Sequence, residues 1–146
     1  MHFVRSFEHD AAAMVSWGVR VLLVTDQNEL GVISRRLAAL GGKVEVAPEL
    51  YAALSDLLDD PQSKSLLVLD CDSLAVGGLE AGQRAVQMMG EVAQRIPVIL
   101  LSADCGEQRF PSDRAAPTVL RAPVSVVSLK VGFEHALRDR LLYQAA

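Results

Sequence analysis

Apolar residues in this chain fall into two kinds of segment. Three short runs, Val21-Leu22-Leu23-Val24, Leu66-Leu67-Val68-Leu69 and Val98-Ile99-Leu100-Leu101, are apolar at every position. Unbroken runs of this length mark strands covered on both faces, as in a parallel sheet. Between them, apolar residues recur at helical spacing, so the chain alternates strand with helix. Each run also ends on polar residues: Thr25-Asp26, Asp70 and Ser102.

The same pattern predicts the individual elements. Phe3, Phe7, Ala11 and Met14 predict an extra amphipathic helix in a prelude over 1–18, with Trp17 sealing it against the domain or a twin subunit. A strand over 19–24 leads to a helix carrying Leu30, Ile33, Leu37 and Leu40, stopped by Gly41-Gly42. A short strand over 43–46 follows, and Pro48 opens a helix with Leu50, Ala53, Leu54, Leu57 and Leu58 on its inner face. After the central strand, Gly77-Gly78 permit a turn into a long helix over 79–95 that buries Val86, Met89, Val92 and Ala93. Pro97 begins the fourth strand, and a fifth spans 118–121. The last helix is expected to bury Val127, Val131, Phe133, Ala136, Leu137 and Leu141. Between Ser102 and Thr118, Gly106, Pro111 and Pro117 leave room only for a short or irregular fourth helix.

These elements define an α/β fold with a doubly wound, five-stranded parallel sheet: an N-terminal extension over 1–18 and one domain over 19–146. In such a sheet the carboxyl ends of the strands line one crevice, where ligands bind. Asp26, Asp70 and Ser102 would therefore meet there, and two carboxylates with a hydroxyl suit a cation and a phosphoryl group.

The chain of 146 residues, with 51% hydrophobic and 22% charged side chains, can bury a full core without disulfides. A net charge of -4 provides no basic footprint for direct nucleic-acid binding, and no segment has the length of a membrane span, which predicts a cytoplasmic protein. Cys71 and Cys105 lack metal-ligand spacing and read as small buried residues. His2, His9 and His135 are scattered and read as surface residues, and Gly77-Gly78 lack the lysine and Ser/Thr of a phosphate loop.

The order of these elements and their strand-end residues resembles the receiver domain of bacterial response regulators, of the flavodoxin-like type, over about 19–142. The resemblance implies that Asp70 matches the aspartate that accepts a phosphoryl group. Ser102 and the small Ala103 match the phosphoryl-binding position. Asp26, Asp70 and the backbone carbonyl of Asp72 match a magnesium site, weakened because Thr25 stands where the family has a second acid. Aligning on Pro123 puts Ala122 at the family's lysine and Val119 at its aromatic switch residue, so both of those roles are lost. Arg121 replaces the lysine only if a strand-end bulge turns it into the crevice.

Such departures imply an atypical receiver, no enzyme, that signals through protein partners: a histidine kinase, a phosphotransfer protein, an output domain or a second copy of the chain. Two other readings stay open at this stage. One is a competent phosphorelay receiver with Asp70 as acceptor, and the other a flavodoxin-like domain that binds a small ligand in the same crevice. A single-domain regulator and a piece of a longer transcription factor both fit this pattern.

Overall fold

The computed structural model describes residues 18–138. The predicted prelude helix, with Trp17, and the end of the last helix, with Leu141, lie outside the described residues. Five parallel strands form a single sheet in the order β2-β1-β3-β4-β5: β1 (Arg20–Val24), β2 (Lys43–Ala47), β3 (Leu66–Asp70), β4 (Val98–Ser102) and β5 (Thr118–Arg121). The helices are α1 (Val32–Ala39), α2 (Leu50–Asp59), α3 (Leu79–Met89), a single turn α4 (Val92–Arg95) and α5 (Val126–Ala136). Strand order reverses between β1 and β3, which are parallel neighbours although β2 intervenes in sequence, and this creates the switch point expected of a doubly wound sheet.

Alternation along the strands sorts the core into two layers. Leu22, Val24, Leu67, Leu69, Val98 and Leu100 pack beneath α2, α3 and α4 with Leu54, Leu57, Val86, Met89 and Ala93. On the opposite face, Val21, Leu23, Leu66, Val68, Ile99, Leu101 and Leu120 pack against Leu37 of α1 and Leu129, Phe133 and Leu137 of the α5 region. The central strands are therefore enclosed on both sides, which is why their sequences do not alternate. Among the described residues no helix is long and apolar enough to cross a membrane.

Several expectations are corrected in detail. The long helix over 79–95 is two helices, because Gly90 at φ 56° ends α3 in a left-handed conformation that favours glycine. Leu30 is outside α1 and 77% exposed: Asn28 accepts hydrogen bonds from Leu30 N at its side chain and from Gly31 N at its carbonyl, forming a turn that delays the helix. Helix α2 begins after Glu49, whose carboxylate caps Tyr51 N and Ala52 N at 2.9 and 2.7 Å, and Leu58 is exposed. Val127 and Val131 face outward from α5, while Leu129 and Phe133 take the inner positions.

The fourth connection departs furthest from a regular unit. Residues 103–117 contain no helix; the segment runs beside β5 and makes an antiparallel bridge between Arg109 and Val119. Three cationic or imidazole side chains hold it. Arg121 Nε donates to Cys105 O at 3.2 Å, and its guanidinium also donates to Gly106 O. Arg138 reaches Pro111 O and Ser112 O, while His135 Nε2 lies 2.6 Å from Pro111 O and its ring meets Phe110 edge to face. His135, expected on the surface, is thus a partly buried anchor.

Candidate functional site: the crevice at the strand ends

Register places the polar strand ends side by side. Val24 pairs with Leu69, so Thr25 stands beside Asp70; Asp70 pairs with Leu101, so Ser102 begins the next step of the adjoining strand. Thr25 is buried and its hydroxyl donates to Asp70 Oδ2 at 2.8 Å. Asp70 and Ser102 stand on adjoining strand ends at one rim, the charge of Asp26 acts on Asp70, and Thr25, in the place of a second acid, is a hydrogen-bonding member of the rim.

Asp72 supplies the second unanticipated feature. Its carboxylate reaches across to β4: Oδ1 accepts from Ser102 Oγ at 2.8 Å and Oδ2 accepts from Ala103 N at 2.7 Å. Ser102 is fully buried, and its hydroxyl oxygen also accepts from Asp104 N at 3.1 Å. The turn carrying Asp72 is fixed by Ser73, whose hydroxyl donates to Asp70 O at 2.8 Å. Both groups matched to the phosphoryl-binding position are therefore occupied by the chain's own carboxylate.

Electrostatics at Asp70 are adverse to ionisation. Burial raises its pKa above the usual 3.8, the Thr25 hydrogen bond opposes that rise, and the negative charges of Asp26 and Asp72 add to it. Arg121, the candidate substitute for a lysine, is instead committed to the carbonyls of Cys105 and Gly106. Ala122, at the aligned lysine position, follows β5 with its amide bonded to Ser102 O and leads into a cis peptide with Pro123. Val119 is buried in the core beneath α3 and α4.

A magnesium ion needs oxygen ligands gathered around one point. Among the described residues no group of three His, Cys, Asp or Glu side chains is so placed. Asp70 has one oxygen turned to Thr25, and both oxygens of Asp72 are turned to β4. Side chains alone thus form no cage among the described residues, and a weak magnesium site of the expected kind would rest on Asp26, the second oxygen of Asp70 and the backbone carbonyl of Asp72, completed by water.

No family model matches the chain, and no curated protein matches it. Solved structures do. The chain is similar to a response regulator receiver domain from Clostridium thermocellum, at 17% identity and TM-score 0.60, over 86% of this chain and 98% of that one. The beryllofluoride-activated NtrC4 receiver domain dimer matches at 20% identity and TM-score 0.60, over 82% of this chain and 97% of that one. The response regulator PhyR from Brucella abortus matches at 18% identity and TM-score 0.58, over 98% of this chain and 58% of that one. This chain spans little more than half of the PhyR structures it matches. The fold is that of a response regulator receiver domain.

Proposed function

We propose that the chain is an atypical receiver-like signalling domain that acts by binding other proteins, with phosphoryl transfer to Asp70 impaired or absent. It is not an enzyme in this reading. The observation that carries it is the charge around Asp70: the neighbouring charges that act on its carboxyl are both negative, while Arg121 is held on the loop behind β5. Phosphoryl transfer depends on positioning and on neutralising negative charge. An incoming phosphoryl group would add charge beside Asp26 and Asp72, with no cation among the described residues acting on Asp70 to offset it. A carboxyl whose pKa is raised is also less often in the nucleophilic, ionised form.

The partner class follows from the same reading: a histidine kinase or phosphotransfer protein, an output domain, or a second copy of the chain, met in the cytoplasm. Val127 and Val131 support it, because α5 presents them outward at 71% and 45% exposure beside the rebuilt segment 103–117. Solved receivers related in fold include a dimer, the activated NtrC4 domain.

The test is radiolabel transfer from acetyl phosphate with magnesium to the full chain and to Asp70→Asn. The expected result is equal, background incorporation in both. Incorporation into the wild type that Asp70→Asn abolishes would overturn the impairment and restore Asp70 as an acceptor.

A further inference from the structure

Two donors end β4 side by side, the Ser102 hydroxyl and the Ala103 amide, and one carboxylate takes both. The distances to the two oxygens of Asp72 are 2.8 and 2.7 Å. Convergent O–H and N–H donors recognise an oxyanion, and a carboxylate presents two oxygens much as a phosphoryl group does. The hydroxyl is not free to turn elsewhere: its oxygen accepts from Asp104 N, which directs its proton toward Asp72. Asp72 itself is exposed, so nothing in the core forces its side chain into this seat. Its position two residues past Asp70, in a turn pinned by Ser73, brings it across to the adjoining strand.

We infer that Asp72 is the built-in ligand of an oxyanion seat formed by Ser102 and Ala103, filling it in place of an external or Asp70-borne oxyanion and tying the loop after β3 to the loop after β4. The nature of the displaced group rests on the receiver reading proposed above; the tether rests on the two hydrogen bonds. Two consequences follow. An oxyanion from solution must compete with a carboxylate supplied at very high effective concentration. The loop after β4 is also held inward without any covalent modification.

The experiment uses amide-resolved NMR on the full chain, with Asp72→Ala and Asp72→Asn compared with wild type and folding checked by circular dichroism. Hydrogen exchange at Ala103 is expected to speed up by about tenfold in Asp72→Ala, the effect of losing one charge-assisted hydrogen bond. Titration with inorganic phosphate is expected to move the Ala103 and Asp104 amides saturably in Asp72→Ala and to leave them unmoved in wild type. Asp72→Asn, which keeps the shape and loses the charge, separates packing from charge: phosphate binding there as well assigns the exclusion to charge. Unchanged Ala103 exchange in Asp72→Ala overturns the tether, and phosphate binding equal in wild type and Asp72→Ala overturns the exclusion. Both readouts are independent of label transfer to Asp70, so a competent Asp70 would defeat the functional reading without deciding this one.

Discussion

Asp70 shows how little a residue's identity says about its chemistry until its neighbours are placed. Its carboxyl is held above the usual 3.8 by burial first, and by Asp26 and Asp72, with Thr25 opposing. A carboxyl whose folded pKa is raised is penalised above that pKa and unpenalised below the unfolded value. Asp70→Asn keeps an acceptor for Thr25 and removes the charge. It is therefore expected to raise the melting temperature at neutral pH, with the gain shrinking as pH falls toward 3.8. Melting curves across pH check this; a variant less stable at neutral pH would contradict it. Sequence alone placed Asp70, Asp26 and Ser102 at one rim because strand ends in a parallel sheet share an edge. It did not show the Asp72 carboxylate, since beyond the last strand residue alternation no longer sets where a side chain points. Arg121, by contrast, is still within β5, where alternation already directed it away from the crevice in the absence of a bulge, and it donates to the carbonyls of Cys105 and Gly106.

At the scale of elements, close packing decides more than periodicity does. Helix α3 approaches the sheet through Gly82, where an added Cβ would lie 2.7 Å from Cys71 Sγ and 3.3 Å from Leu100 Cδ2. Those neighbours are buried, and the Cys71 thiol, its pKa pushed up to about 12 chiefly by burial, has no charged form to seek water. Gly82→Ala is expected to destabilise the fold by about 1–3 kcal/mol through overpacking, against the usual gain of alanine over glycine in a helix. Urea denaturation gives the difference; a more stable variant would show that α3 moves freely away from β3. Helix α5 is the counterexample for pattern reading. Val126, Val127, Leu129, Val131, Phe133 and Leu137 put apolar residues on both of its faces, so spacing could not choose, and contact with β5 and α1 selects Leu129 and Phe133. The break at Gly90 was equally ambiguous, because a lone glycine is tolerated within many helices.

Across the whole molecule, strand position should govern local stability. β1, β3 and β4 have neighbours on both edges and core layers on both faces, whereas β2 and β5 are the outer strands. Native-state hydrogen exchange is expected to find the slowest amides at Leu23, Val68 and Leu100, with β2 opening at lower free energy. Equal protection in β2 and β3 would show that the sheet opens only as a unit. Fold class and the central place of β3 were readable because buried parallel strands leave an apolar signature. The segment 103–117 was not, since its proline and glycine content excluded a regular helix without saying what replaces it.

That segment also changes what the rim of the sheet can do. Val119 exchanges both backbone bonds with Arg109, at 2.8 and 3.0 Å, and Arg121 N is met by Gln108 Oε1 at 3.1 Å. On the far rim, β2 presents exposed Lys43 and Glu45. One margin is thus already sealed and the other is guarded by charge, which disfavours accretion of further chains strand upon strand. Edge-to-edge strand pairing is thereby the route least open to any growth of this protein into fibrils.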